Sequence, residues 1–416
     1  MSRTIGRVAI AAALTLALAG CGVGSGRGPS AARGDFAGLP TAGGQGSEAG
    51  FQAWVISFRP RALASGVAPA TFDNAMAQAH FMPSLIALDR QQSEFSKPVW
   101  DYLDGAIGTR GATGRARAGQ HGATLAAIES RYGVPREVVL AVWGMESNFG
   151  GNRGSTAIVP ALATLAYDGR RGEFFAGELA AALRILQAGD VDNRRMVGSW
   201  AGAMGHTQFM PSSFLAHAVD FNGDGRRDIW SDDPSDALAS TAAYLRRNGW
   251  QPGQVWGAEV ILPPGFDFNR VGKSVRQSGS QWAALGVRTV NGAPVPSGSI
   301  LAPAGARGPA FLITENFRAI LKYNASDSYA LAVAWLGEAI AGRPGIQGDW
   351  PRGDRVLSNA EKAEIQRLLM ARGHDTGGVD GKLGSQSSEA IRDFQRARGL
   401  TPDGYADARL LAMLRG

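Results

Sequence analysis

The feature that most restricts the fold is the spacing of apolar residues across positions 51–341. Over most of this stretch they recur every three or four residues, as in Leu125, Ile128 and Tyr132, which is the period of an amphipathic α-helix. Joints rich in Gly, Pro and Asn separate these segments, and only short segments such as 257–262 are strand-like. The sequence therefore predicts a mainly α-helical domain with a small β element.

The first residues have the pattern of an export signal. Arg3 and Arg7 precede an apolar run at 8–19, which is too short to span a bilayer as a stable helix. The run leads into Leu-Ala-Gly-Cys, which resembles the lipobox of bacterial lipoproteins, where the cysteine sulfur is acylated and the chain is cut before it. Residues 1–21 are therefore predicted to be a lipoprotein signal peptide, with Cys21 as the lipidation site. The alternative is an ordinary secretory signal with an incidental cysteine.

Cys21 is the single cysteine of the sequence, so no internal disulfide can form, although exported proteins meet an oxidising compartment. The inner-membrane retention signal of enterobacterial lipoproteins is an Asp after the cysteine, and here Gly22 follows. The resemblance therefore implies a periplasmic protein anchored by lipid to the outer membrane of a Gram-negative cell. Residues 22–50 are rich in Gly, Ser, Ala and Pro and are predicted to be a flexible linker.

One apolar segment carries a lone carboxylate near its end. Residues 138–143 are uniformly apolar, and Glu146 follows shortly after them. Burial disfavours the charged form of a carboxyl group, so Glu146 is predicted to keep its proton near neutral pH. A protonated Glu is the group that a general acid needs to release a glycosidic oxygen. The competing interpretation is a Glu that faces solvent or pairs with an Arg.

Two strings give Glu146 a family context. Glu-Ser-Asn-Phe-Gly at 146–150 and Ala-Gly-Ala-Met-Gly-His-Thr-Gln-Phe-Met-Pro-Ser-Ser at 201–213 resemble the lysozyme-like fold of lytic transglycosylases. Together with the loop at 220–230, they are similar to the membrane-bound lytic murein transglycosylase B family. The resemblance implies a catalytic domain at 51–345. It also implies cleavage of the β-1,4 bond between N-acetylmuramic acid and N-acetylglucosamine without water, leaving 1,6-anhydromuramyl ends.

The single carboxylate agrees with that reaction. Most glycosidases need two carboxylates at a defined separation. If the muramyl C6 hydroxyl attacks its own C1, Glu146 can act first as acid and later as base. Glu137, Glu173 and Glu178 are the candidates for a second carboxylate. One of them in the cleft would favour a hydrolytic muramidase instead.

The resemblance also implies a substrate-binding set around the acid. Its members are Arg170, Arg171, Ser199, Gln208, Tyr244, Tyr323, Asn324 and Tyr329. Aromatic faces stack on sugar rings, and amides fix acetamido groups. Phe174 departs from the family pattern, which often has Tyr at this position, so a hydrogen bond is expected to be lost there.

An oxygen-rich loop follows these strings. Its sequence starting at Asp220 fits the first half of an EF-hand, with side-chain oxygens at positions one, three and five, Gly at six and a backbone carbonyl at seven. Position twelve is Ser231 rather than Glu, and the resemblance implies closure by a later Asp. The predicted ligands of a structural Ca²⁺ are Asp220, Asn222, Asp224, Arg226 and Asp236. Asp228 and Asp232 compete for the closing role, and an Asx-rich turn without an ion is the alternative. No cofactor is expected for catalysis.

The segment 354–416 is predicted to be a separate small domain. Helical periodicity at 360–372, 389–398 and 406–414 is interrupted by two Asp-Gly pairs, which favour tight turns. Over its whole length it resembles the peptidoglycan-binding domain of cell-wall enzymes, although a generic three-helix cap is the plainer interpretation. The expected partners are peptidoglycan glycan strands and the outer membrane. Proteins of cell-wall synthesis or division are possible partners that the sequence does not identify.

Several function classes are disfavoured. The single Cys is at the lipidation site, no Gly-x-Ser-x-Gly elbow is present, and the five His residues are scattered without a metal-type pair. The net charge of +6 is not gathered into a stripe, so nucleic acid is not expected as a partner. The alternative to an enzyme is a non-catalytic tether between outer membrane and cell wall, which would have no use for Glu146.

Overall fold

The structure is a computed structural model, and it describes residues 36–43, 46–90 and 97–416. The predicted signal peptide and Cys21 lie outside the described residues. The helices are α1 (Glu48–Ala64), α2 (Pro69–Met76), α3 (Pro83–Arg90), α4 (Val99–Ile107), α5 (Arg110–Gln120), α6 (Gly122–Tyr132), α7 (Arg136–Ser147), α8 (Ile158–Asp168), α9 (Gly172–Ala188), α10 (Pro211–His217), α11 (Ser235–Arg247), α12 (Gly279–Ala284), α13 (Glu315–Tyr323), α14 (Asp327–Ile340), α15 (Asn359–Met370), α16 (Ser385–Ala397) and α17 (Ala408–Arg415). The strands are β1 (Thr156–Ala157), β2 (Val197–Gly198), β3 (Gly257–Ile261), β4 (Arg288–Thr289), β5 (Ser299–Leu301) and β6 (Ala310–Ile313).

This architecture confirms the prediction of a mainly α-helical fold with a small β element. Within the described residues, no helix combines the length and the apolarity that crossing a membrane requires.

The large domain has two apolar cores. The first lies among α1, α2, α3, α8 and α9, where Trp54 stacks on Phe58 with ring centroids 5.0 Å apart. The second surrounds α7, against which α14, α5 and α11 pack. A helix that is apolar on every side must be buried. In α7 every residue from Val138 to Ser147 is buried. Helix α7 is therefore the central helix of this core.

A four-stranded antiparallel sheet forms the β element, in the order β4-β3-β6-β5. Val260 of β3 faces Ala310 of β6, and Ile300 of β5 faces Leu312. One face of the sheet packs on Trp282, which is fully buried. Strand β3 matches the strand-like segment predicted at 257–262, apart from one residue at its end.

The described residues begin within the stretch that composition predicted to be a linker. The Phe36 side chain is buried against Phe58, with ring centroids 5.7 Å apart, and the Ala42 amide donates to the Tyr167 carbonyl. Helix α1 then begins at Glu48. Phe36 is a single apolar residue among small ones, which gives no periodic signal, so composition did not predict its packing against Phe58.

The segment between the two domains is packed against the large one. The buried carboxylate of Glu259 accepts the backbone amides of Gln347 and Gly348, at 2.8 and 2.6 Å. Farther along, Trp350 lies against Trp100 and Phe311. These contacts fix the course of the segment along the sheet.

The C-terminal domain consists of α15, α16 and α17 around a small apolar core. Buried Gln366 accepts the amides of Asp380 and Gly381, and Gln395 in the same way accepts the amide of Gly404. Each Asp-Gly turn is thus held by a glutamine from the preceding helix. Helix α16 starts at Ser385, earlier than the predicted start at 389.

Candidate active site

Helix α7 presents Glu146 in its last turn. The helix ends at Ser147. Its cap residue Asn148 has a left-handed φ of 51°, and Phe149 follows with φ 57°. Left-handed backbone is uncommon outside glycine and costs energy, so packing must impose it. The Phe149 ring provides that packing, since it lies 5.6 Å from the ring of Trp143 on the same helix. The chain thereby turns sharply just after the carboxylate.

Glu146 is 7% exposed, and its burial raises its pKa to about 7. The Tyr329 hydroxyl donates to Glu146 Oε1 at 2.5 Å, which stabilises the carboxylate and partly opposes the shift. Among the described residues, no other carboxylate contributes to the raised pKa. The group can therefore hold a proton at neutral pH and can also release it, as an acid that later serves as a base must.

Three tyrosines surround this carboxylate. Burial and the nearby Glu146 charge raise the pKa of Tyr329 and Tyr323 well above the usual range, and raise that of Tyr102 to about 12. All three phenols therefore stay protonated, and those of Tyr329 and Tyr323 already donate, to Glu146 and to the Thr207 carbonyl. Tyr244 packs against Tyr323, with ring centroids 4.9 Å apart, and its hydroxyl donates to the Lys322 carbonyl.

The loop from β2 to α10 brings two predicted polar residues to the same region. Gln208 has a left-handed φ of 53°, and its Nε2 donates to the carbonyls of Arg153 and Gly205. Its Oε1 has no donor among the described residues, so the carbonyl oxygen is the part of the amide left for a ligand. Ser199 Oγ accepts the Ala203 amide at 3.1 Å and braces the turn that leads to Gln208.

Asn324 ends helix α13. Its Oδ1 accepts the amide of Ser326, the residue that caps α14. Because Tyr329 lies in the first turn of α14, this contact ties the position of Asn324 to that of the tyrosine on Glu146.

Arg170 and Arg171 form a separate cluster at the turn between α8 and α9. Both donate to the carboxylate of Asp89, which is almost fully buried. The Arg171 guanidinium also lies 4.7 Å from the ring centroid of Phe175, while Phe174 is half-exposed beside it. Asp89 is thus shared by two arginines, and the neighbouring Asp168 pairs with Arg90, so the cluster keeps a net positive charge.

The candidates for a second carboxylate have other partners. Glu178 accepts both the amide and the hydroxyl of Ser212 at the start of α10. Glu137 pairs with Arg343 at 3.3 Å, and Glu173 is exposed at the start of α9. The structure therefore assigns none of the three to the neighbourhood of Glu146.

The oxygen-rich loop has the turns of an EF-hand start. Asp220 accepts the amides of Gly223 and Gly225, Asn222 accepts that of Asp224, and Asp224 accepts that of Arg226. These Asx turns set hard oxygen donors of the kind that Ca²⁺ prefers around one short loop.

Asp236 closes the loop. It is buried and accepts three backbone amides, those of Phe221, Asn222 and Asp228. Among the described residues, no group of three or more His, Cys, Asp or Glu side chains converges as a metal cluster. The donor chemistry of the first half of the loop fits Ca²⁺, whereas Asp236 already uses both oxygens on the backbone.

Two family profiles match the chain. The family described as Transglycosylase SLT domain matches residues 50–338. The chain belongs to the SLT transglycosylase family. A second family, described as Putative peptidoglycan binding domain, matches residues 358–414. The predicted family and the predicted type of the C-terminal domain are confirmed.

Relatives of known structure or name agree with this assignment. Membrane-bound lytic murein transglycosylase B of Escherichia coli (strain K12) is 38% identical over 218 residues, which is 50% of this chain and only 58% of that relative. SltB3 from Pseudomonas aeruginosa, solved with NAG-anhNAM-pentapeptide, is 50% identical with a TM-score of 0.84 and covers 88% of this chain and 99% of its own. Slt35 of Escherichia coli, solved with calcium, is 31% identical with a TM-score of 0.61 and covers 73% and 96%.

Sequence reasoning missed two residues of this SLT transglycosylase that meet the active-site helix. Tyr102 of α4 lies near Glu146, although the two are far apart in sequence and α4 has no motif of its own. His206 is buried within the 201–213 string and accepts a hydrogen bond from Trp143 of α7. A lone histidine in an apolar string gave no signal, because its partners come from distant parts of the chain.

Proposed function

We propose that the chain is a lytic transglycosylase that cleaves the β-1,4 bond between N-acetylmuramic acid and N-acetylglucosamine in peptidoglycan. The protonated Glu146 gives its proton to the glycosidic oxygen as the bond from that oxygen to C1 breaks. The muramyl C6 hydroxyl then forms a bond to C1, and its proton returns to Glu146. No water is consumed, and the enzyme ends in its starting protonation state.

The observation that carries this proposal is a carboxyl group with a pKa of about 7 that is held by Tyr329. Among the described residues, no second carboxylate is one of the groups that shift this pKa. Hydrolases of the common types place two carboxyl groups across the scissile bond. Here one group suffices if the substrate supplies its own nucleophile. SltB3, which shares half of its residues with this chain, was solved with a 1,6-anhydro sugar, the kind of product that this chemistry yields.

The neighbouring residues have roles that follow from their positions. Tyr329 keeps Glu146 oriented, and the carbonyl of Gln208 can accept an acetamido N–H. The positive cluster of Arg170 and Arg171 is suited to carboxylates of the peptide stems. Ser199, Tyr244, Tyr323 and Asn324 support the loop and helix ends that carry these groups.

The products distinguish this reaction from its alternatives. Purified sacculi digested with protein that starts at residue 36 are expected to yield muropeptides lighter by one water than hydrolysis products, as measured by mass spectrometry. Reducing-end products of full mass would instead indicate a muramidase on the same fold. Binding of sacculi without cleavage would favour the tether.

We also propose that the C-terminal domain holds the enzyme on its polymer, since a second contact raises the local concentration of glycan at the cleft. Residues 358–414 match a family described as peptidoglycan-binding. The segment between the two domains, which packs on Glu259 through Gln347, keeps this domain beside the catalytic one.

We further propose that the mature chain is anchored in the outer membrane through acylated Cys21. The Leu-Ala-Gly-Cys string supports this anchor, and the apolar run at 8–19 before it supports export. Mass spectrometry of the mature protein is expected to show a diacylated or triacylated cysteine at its N-terminus, and an unmodified Cys21 would remove the anchor.

A structural Ca²⁺ in the loop that starts at Asp220 is a further proposal. The consecutive Asx turns support it, and Slt35, whose fold is shared, was solved with calcium. Asp220, Asn222, Asp224 and the Arg226 carbonyl would hold the ion, with Asp236 bracing the loop from behind. The melting temperature is expected to fall on addition of EGTA and to recover with Ca²⁺, whereas indifference to both would contradict the site.

A further inference from the structure

His206 lies where three parts of the active site meet. Its ring packs edge-on against Trp143 of the catalytic helix, with centroids 5.6 Å apart, and is 4% exposed. Its own segment carries Thr207 and Gln208. On its far side runs the backbone from Ile229 to Ser231, at the end of the oxygen-rich loop.

The hydrogen bonds of the ring admit one protonation state. Trp143 Nε1 is a donor only, so the His206 Nδ1 that it contacts at 3.1 Å must be the unprotonated acceptor. The hydrogen is then on Nε2, which donates to the Ser231 carbonyl at 2.7 Å. The imidazole is therefore neutral, with a defined tautomer. Arg153 Nη1 lies 3.2 Å from the same Nε2, and its cationic charge also favours a neutral ring.

The backbone of His206 adds two ties. Its carbonyl accepts a hydrogen bond of 2.5 Å from the hydroxyl of Ser147, the residue after Glu146. Its amide donates to the Ile229 carbonyl. Ser147 Oγ in turn accepts the Gly150 amide. A Cβ at Gly150 would lie 2.6 Å from His206 Nδ1, so the turn after the catalytic helix is pressed directly against the ring.

We infer that His206 is a positioning residue, which fixes the end of the catalytic helix relative to the Gln208 loop through a neutral Nε2-protonated imidazole. This inference rests on the proposed function. Glu146 projects from the turn of helix that Trp143 and Ser147 anchor on His206. Loss of the ring would let that turn shift, and a misplacement of about 1 Å in catalytic groups can cost about 100-fold in rate.

Two substitutions in the full chain test the role. His206→Gln offers a carbonyl to Trp143 and an N–H to Ser231, whereas His206→Leu fills the space without either. We expect His206→Leu to lower kcat on sacculi by about 10–100-fold with little change in KM, and His206→Gln to recover most of the loss. His80→Leu, at an exposed position between α2 and α3, is the control and should retain wild-type kcat. A folded His206→Leu variant with wild-type kcat, or a Gln variant as impaired as the Leu variant, would overturn the inference.

A measurement on the unaltered protein guards against a variant that does not fold. ¹⁵N NMR of the histidine side chains at neutral pH, with the His206 resonance assigned through His206→Gln, is expected to show a protonated Nε2 and an unprotonated Nδ1. The opposite tautomer, or an imidazolium, would contradict the geometry. If the wild-type protein cleaves no glycan, the proposed function fails and the catalytic part of this inference fails with it, while the NMR result still decides the ring's hydrogen bonds.

Discussion

Glu146→Gln is expected to lower cleavage of sacculi by about 10²–10⁴-fold, which is the usual contribution of a general acid and base. Glutamine keeps the size of the side chain and can still accept the Tyr329 hydroxyl. It cannot give a proton to the leaving oxygen or take one from the C6 hydroxyl. Release of anhydro-muropeptides, followed by mass spectrometry over time, measures the loss.

The control for this variant lies on the same helix. Glu137, in the first turn of α7, pairs with Arg343 rather than contacting Glu146. Glu137→Gln is therefore expected to keep near wild-type activity. If Glu146→Gln retained activity within a few-fold of wild type, another group would have to be the acid, and the proposed mechanism would be wrong.

The same group sets the pH dependence. Because the pKa of Glu146 is about 7, the acid form is lost as pH rises through that value, and turnover should fall by about tenfold per unit above it. Burial raises this pKa above the unfolded value, so the carboxyl group contributes stability at low pH that is lost as pH rises through 7. Glu146→Gln should therefore match the wild-type melting temperature in acid and exceed it above neutral pH.

The outcome at Glu146 shows how far the sequence could lead. An apolar helix with one carboxylate near its C-terminal end predicted a protonated acid, and burial of α7 is the physical reason that the pKa is raised. The partner Tyr329 lies 183 positions away. No spacing rule joins two residues so distant, and only the resemblance to a family placed the tyrosine in the site.

Other residues mark what the sequence could not supply. Arg170 and Arg171 were predicted from the resemblance, but the buried Asp89 that orients them has no motif around it. His206 acts through Trp143 and Ser231, contacts that exist only after three separate segments pack together. Phe36 was assigned to a linker because one aromatic residue among small ones has no period. In each case tertiary packing supplies the partner.

Asp236 was predicted as a metal ligand, and its contacts predict that its removal strongly lowers the stability of the fold. The side chain is buried at the start of α11 and accepts the amides of Phe221, Asn222 and Asp228. Buried amides without acceptors cost about 1–3 kcal/mol each, and water can satisfy part of that need. Asp236→Ala is therefore expected to lower the free energy of unfolding by roughly 2–4 kcal/mol.

Thermal melting measures this loss of stability. Melting with and without EGTA separates the contribution of the carboxylate from that of the bound ion. For a domain of this size the expected shift is roughly 3–7 °C, and Asp233→Ala, an exposed residue of the same loop, should shift the melting temperature less. If Asp236 acts mainly by shaping the loop, its alanine variant stays less stable than wild type even in EGTA. If the two proteins melt together once calcium is removed, the carboxylate acts through the ion, and the three amide contacts contribute little by themselves.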